Sequence, residues 1–240
     1  VHMALNSLCE HLQMMTCHGS AFTFENERQR RAVLAAAPAD VVDTLRVPLT
    51  EAIIEIAPAG SGFEEQAASL LVQLGERHQA AELFHSMAMQ QEESGNAEGA
   101  LVKFQQALAL ARSGGDLNES FEVKILLGTG EAAFKAMRFD VADRALREAI
   151  TLAEHCEETL AGAKAELLLL KLLARQGKLQ EAIERAKDAI PLAESTGDPL
   201  LLAQAYGAIG EAYQQWGQYG PDLRYIEAAV SFATEVNDPV

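Results

Sequence analysis

Gly177-Lys-Leu-Gln-Glu-Ala182-Ile-Glu-Arg-Ala186-Lys-Asp-Ala189-Ile-Pro-Leu192 decides the fold of this chain. A glycine opens the stretch, and alanines follow at offsets that share one face of a helix. The same frame occurs three more times. Gly95-Asn-Ala-Glu-Gly-Ala100 precedes Phe104, Ala107 and Leu110. Met137-Arg-Phe-Asp-Val-Ala142 precedes Leu146, Ala149 and Leu152. Gly217-Gln-Tyr-Gly-Pro-Asp222 precedes Ile226, Ala229 and Phe232. The frames begin at 95, 137, 177 and 217, a period of about 40 residues that marks a repeat array.

Outward from these frames, each unit reads as a first helix, a short turn and a second helix. The spacing predicts pairs over 81–94 with 97–113, 120–136 with 139–154, 160–176 with 179–194, and 200–216 with 219–235. Gly115-Asp116 and Gly197-Asp198-Pro199 punctuate the array. In the second of these, Gly stops one helix, Asp caps the next, and Pro suits its first turn. Asn237-Asp238-Pro239 repeats that punctuation. A chain cut from a longer array is therefore expected, the other reading being a natural terminus closed by its last helix. Alanines at 100, 107, 142, 149, 182, 189 and 229 are expected where second helices cross their neighbours, because a bare Cβ lets two helix axes approach closely. Gly130 and Gly210 are expected to do the same on first helices.

Before the array the pattern is helical but broken. Leu5, Leu8, Cys9, Leu12 and Met15 share a helical face, and Cys17–Ser20 interrupts it. Further helices are expected over 25–37, 39–46 and 49–56, bounded by Pro38, Pro48 and Pro58. Ser61 and Glu64 have capping-box spacing for the helix that follows. The predicted organisation is a helical N-terminal region over 1–62, a connecting helix over 63–80 and the array over 81–240.

Composition narrows the function. Net charge is −16, with 49% hydrophobic and only 6% aromatic residues. An acidic surface disfavours nucleic acid and anionic membrane as partners. Three cysteines at irregular spacing, Cys9, Cys17 and Cys156, read as reduced thiols. With no apolar leader and no run of membrane-spanning length, a cytoplasmic location is expected.

The spacing and residues resemble the tetratricopeptide repeat (TPR) family, over about 81–236. Phe84 and Tyr206 stand at the family's aromatic place, Gly130 and Gly210 at its small place, and Tyr213 follows Gly210 by three. The alanines and Gly95, Gly177 and Gly217 complete the pattern. Departures are Ala88 and Leu170 at the small place, Met137 for a turn glycine and Asp222 for an alanine. Units near 40 rather than 34 residues resemble the longer repeats of bacterial sensor-regulators and of scaffolds. The resemblance implies an all-α, right-handed solenoid of four helix pairs behind the helical N-terminal extension.

Motifs that suggest chemistry have simpler explanations. Gly128-Thr-Gly130-Glu-Ala-Ala133 mimics a dinucleotide fingerprint, but no parallel-sheet pattern surrounds it. Cys9, His11, Cys17 and His18 cluster without the paired spacing of a zinc site. His155-Cys156 sits near a helix end. Asn118-Glu-Ser120 has a glycosylation spacing that a reducing compartment makes irrelevant. No nucleophile, base and acid come together, so no enzyme, metal or cofactor is predicted.

The family resemblance also implies that first helices line a concave groove. Carried across, the groove positions are Lys124, Leu127, Glu131, Phe134 and Lys135 in the second unit and Lys164, Leu167, Lys171 and Arg175 in the third. The fourth gives Gln204, Glu211, Gln214 and Gln215, and the first Glu82, His85, Met89, Glu92 and Glu93. Five cations of an acidic chain would gather there, a field able to steer an acidic segment. The expected function is a non-catalytic scaffold or adaptor for a protein or peptide partner. A ligand- or peptide-sensing domain of a larger bacterial regulator is the alternative.

Overall fold

The protein is described by a computed structural model covering residues 15–18, 21–24, 51, 54–55, 62–113, 118–217 and 219–236. The chain divides into two compact units, Val1–Ala52 and Ile53–Val240.

In the first unit, β1 (Met15–His18) and β2 (Ala21–Phe24) form an antiparallel hairpin. Met15 faces Phe24 and His18 faces Ala21, which leaves Gly19 and Ser20 between the strands. Within the N-terminal region read as helical, these two segments pair as strands instead. Met15 ends a strand pair instead of a helix, because Thr16, Phe22, Thr23 and Phe24 favour a pleated backbone and Gly-Ser is a two-residue hairpin signal. The helix read over residues 4–14, Cys9, His11 and the helices read over 25–46 lie outside the described residues. Glu51, Ile54 and Glu55 are helical.

The second unit consists of nine helices among the described residues. They are α1 (Glu64–Leu74), α2 (Arg77–Glu93), α3 (Ala97–Ser113), α4 (Glu119–Lys135), α5 (Phe139–His155), α6 (Thr159–Arg175), α7 (Leu179–Thr196), α8 (Pro199–Gln215) and α9 (Tyr219–Val236). Every helix packs on the next. The pairs α2–α3, α4–α5, α6–α7 and α8–α9 are the four units read from the sequence. The connecting segment is not one helix, since α1 stops at Gly75 and α2 begins at Arg77, ahead of the expected 81. Phe63 occupies the N-cap of α1 without a side-chain cap; Ser61, expected to cap it, lies outside the described residues.

One turn recurs through the stack. The residue after the helix adopts a left-handed conformation, and the next N–H reaches back to a carbonyl five residues earlier. Arg138 N bonds Ala133 O at 2.8 Å and Lys178 N bonds Leu173 O at 2.9 Å. Gly95, Gly177 and Gly217 carry φ of 78°, 75° and 76°. Met137 and Glu157 adopt the same conformation with φ of 59° and 60°. A Cβ makes that region unfavourable by roughly 1–2 kcal/mol, so the stacking of α4–α5 and of α5–α6 overrides local preference. Elsewhere the caps follow the sequence. Asp198 Oδ1 accepts from Leu200 N at 3.0 Å and Leu201 N at 3.2 Å, with Pro199 next in line. Asn118 Oδ1 accepts from Ser120 N at 3.1 Å, so the apparent glycosylation spacing is a helix cap.

Small residues sit where helices cross. Ala100, Ala107, Ala142, Ala149, Ala182 and Ala189 are all buried, as are Ala88 and Leu170 at the departures from the family pattern. Ala229 is half-buried. A Cβ on Gly130 would stand 2.5 Å from Leu146 Cδ2, and one on Gly128 would stand 2.5 Å from Phe104 Cε1. Both glycines of the apparent dinucleotide fingerprint are thus packing surfaces inside α4. In the last unit aromatic rings fill the seam. Tyr206 stacks on Phe232 at 5.5 Å and Tyr213 on Tyr225 at 5.4 Å between centroids.

Candidate functional site

Two kinds of packing set the geometry of the array. First helices pack on first helices of the next unit, α2 on α4, α4 on α6 and α6 on α8. Second helices of successive units do not pack on each other in this way. Close approach on one side and separation on the other curve the stack, with the first helices on the inner side.

On that inner side, α6 buries Leu169, Leu170, Leu172 and Leu173 and turns Lys164 and Lys171 the other way. A concavity of about 360 Å³ results. Leu127 and Glu131 of α4 form one wall, and Lys164, Leu167, Leu168 and Lys171 of α6 the floor. Asp198, Leu200, Leu201 and Gln204, from the capped first turns of α8, form the other wall. Six of the positions carried across from the family pattern therefore meet at one place: Leu127, Glu131, Lys164, Leu167, Lys171 and Gln204. Leu168, Asp198, Leu200 and Leu201 were not anticipated. Their signal was the Asp198-Pro199 cap, which fixes where α8 begins and so which of its leucines reach inward.

The other positions lie around this concavity. Lys124 is exposed one turn before Leu127. Its charge, after burial itself, lowers the pKa of His85 on α2, whose ring lies 5.6 Å from both Phe104 and Phe121. Phe134, Lys135 and Arg175 stand at the far end of α4 and α6. The Arg175 guanidinium lies over the Phe134 ring at 5.4 Å, and Lys135 is held by Glu92 at 3.1 Å and Glu131 at 2.8 Å. Glu211 and Gln214 are exposed on α8, outside the concavity.

Charge is treated differently on the two sides. Three cations of the second helices and their turns bind carboxylates of a neighbouring unit. Arg112 of α3 binds Glu122 at 2.6 Å and also Glu148 of α5. Arg138 binds Glu98, and Arg147 binds Asp143 at 3.0 Å and Glu181 of α7 at 2.9 Å. Arg185 binds the buried Glu166 at 2.7 Å. Among the described second helices and their turns, Lys187 pairs within its own helix and Lys103 with Glu65 of α1, and Arg144, Lys178 and Arg224 make no ion pair. On the inner side Lys124, Lys164 and Lys171 make no ion pair among the described residues. Burial pushes the pKa of Lys171 below the usual lysine range, against the opposing pull of Glu211 and Glu131.

Chemically, the concavity offers two ammonium groups, an apolar floor and two carboxylates at its rim. Its lining contains no hydroxyl, thiol or imidazole. Elsewhere, Glu119, His155 and Cys156 bring three metal-ligating atoms within 4.8 Å of one another. No helix among the described residues is long and apolar enough to cross a membrane.

No protein-family model and no curated protein matches the sequence. Solved structures do match the fold. BtubC (BKLC) from P. vanneervenii shares 18% identity over 89% of each chain, with a TM-score of 0.60. MamA shares 16% identity over 82% of this chain and 94% of its own, with a TM-score of 0.56. YrrB, described as a TPR protein with an unusual peptide-binding site, shares 18% identity over 78% of this chain and 93% of its own, at a TM-score of 0.51. At these identities the likeness establishes the fold. The second unit is a TPR-like α-solenoid.

Proposed function

We propose that this chain is a non-catalytic interaction scaffold that holds an acidic segment of a partner protein against α4, α6 and α8. One observation carries the reading. In a chain of net charge −16, Lys124, Lys164 and Lys171 make no ion pair among the described residues of the inner side, while most second-helix cations are paired. Unpaired charge in a concave, partly dry setting acts more strongly than the same charge on an open surface. Leu127, Leu167, Leu200 and Leu201 beside it supply apolar contact, so an extended segment with alternating acidic and apolar side chains matches both features. A solved structure of the same fold with a peptide-binding site, YrrB, supports a peptide as the ligand. The basic side chains discriminate against a basic or neutral segment through like charge and lost pairing.

The test is fluorescence anisotropy with labelled peptides rich in Glu, Asp and Leu, compared with sequence-matched basic peptides. Acidic peptides bind and basic ones do not. Replacing Lys124, Lys164 and Lys171 together by Glu lowers affinity at least about 100-fold, roughly 2.7 kcal/mol, with helical CD and Tm unchanged. Equal affinity in the triple variant, or no acidic peptide bound by the natural chain, overturns the proposal.

A further inference from the structure

Away from the concavity, one unit of the array closes with a different set of donors. Antiparallel helices place the start of α4 beside the end of α5. Glu119 is the first residue of α4, positioned by its Asn118 cap. His155 is the last residue of α5, and Cys156 follows it as the C-cap. Glu119 Oε2 lies 2.8 Å from His155 Nδ1 and 3.3 Å from Cys156 Sγ. All three ligating atoms lie within 4.8 Å of one another. We propose that Glu119, His155 and Cys156 form a binding site for one zinc-type divalent ion, which fastens the two helices of the second unit together at their open ends.

The donor set decides the metal. A carboxylate, an imidazole and a thiolate together suit a borderline ion, whereas calcium and magnesium select oxygen alone. With metal–ligand bonds of about 2.0–2.3 Å, a tetrahedral ion needs donors roughly 3.3–3.6 Å apart. The donors lie between 2.8 Å and 4.8 Å apart, so adjustments on the order of an ångström bring them onto a tetrahedron. His155 and Glu119 have the freedom for it, with side chains 73% and 51% exposed. Three protein donors leave the fourth position to water.

Charge around the site favours a cation. The carbonyl end of α5 is a region of partial negative charge, and Glu158 adds its own nearby. Glu122 contributes less, because Arg112 holds it. The sulfur binds as thiolate, so one proton leaves to solvent on binding. The ion links residues 36 and 37 positions apart, and a cross-link over such a loop removes entropy from the unfolded chain. It needs no partner protein and is independent of the peptide proposal.

Cobalt chloride titration of the whole chain in the presence of a phosphine reductant tests the site. A thiolate-to-cobalt charge-transfer band is expected, saturating at one ion per chain and displaced by zinc chloride. Cys156→Ser abolishes the band. His155→Ala and Glu119→Gln weaken binding by more than the 10–100-fold typical of supporting residues. A variant with Cys9→Ser and Cys17→Ser keeps the band unchanged, and zinc raises the Tm of this variant but not that of Cys156→Ser. Absence of the band in the natural chain, its survival in Cys156→Ser, or its loss in the Cys9 and Cys17 variant overturns the assignment. Matching far-UV CD for the metal-free proteins shows that each variant is folded.

Discussion

The inner and outer sides of this array are built from the same residue types, yet they use charge in opposite ways. On the outer side, second helices stand apart, and long arginine side chains cross the gaps to carboxylates of the next unit, as Arg147 does to Glu181. On the inner side, first helices pack directly, and Lys135 is the cation that bridges two of them, to Glu92. Lys124, Lys164 and Lys171 make no ion pair among the described residues. The difference shows that the stacking of helices, more than sequence charge alone, decides which cations find a partner. Where α4, α6 and α8 touch, Lys124, Lys164 and Lys171 point outward and stay available. Where they separate, an arginine is consumed in joining them.

The largest way to break this contrast is to disturb the seam between the two sides. Gly128→Val would press a branched Cβ into the Phe104 ring, and overpacking there is expected to lower unfolding free energy by about 3 kcal/mol. Denaturant titration measures it, and the acidic peptide should lose its site along with the fold. A smaller effect sharpens the contrast from the outer side. Arg147→Ala removes a bridge whose side chain is 40% exposed. Solvent screening limits the loss to at most about 1 kcal/mol, and peptide affinity should not change. A change in affinity as large as that of the lysine reversals would show that the two sides are not separable.

The smallest effect concerns protonation of Lys171. Its pKa is lowered by burial, so as pH rises it loses its charge before an ordinary lysine does. Affinity for an acidic peptide, full at neutral pH, is expected to decline on the alkaline side ahead of the usual lysine range. Lys171→Arg stays charged throughout and should remove that early decline. An identical profile in the two proteins would take Lys171 out of the contact.

Much of this architecture is legible in the chain because the repeat is written in spacing. Gly95, Gly177 and Gly217 mark turns that need a left-handed residue, and the alanines mark crossings; both are local requirements that a single sequence exposes. The turn at Glu157 is not legible, since nothing about a glutamate between Cys156 and Glu158 announces that conformation. The hairpin at Met15–Phe24 was masked by apolar residues at helical spacing just before it. In the concavity, the family pattern supplied Leu127, Lys164, Leu167 and Lys171. It could not tell that Lys135 is held by Glu92, 43 positions away, while Lys171 makes no ion pair among the described residues and feels Glu211 and Glu131 only at longer range. Pairing between units depends on which side chains the stacking brings together, which no run of sequence contains. The meeting of Glu119 with His155 and Cys156 was hidden for the same reason, as its partners lie one helical hairpin apart.

The unequal joining of the two sides also gives the stack a mechanical direction. Its inner edge is joined by direct packing of successive first helices, and bending there would open buried apolar surface to water. Its outer edge is laced by charge pairs at the surface, which weaken as ionic strength rises. The array is therefore expected to flex more readily at its outer edge than at its inner one, and to do so more easily as salt rises, with the core unaffected.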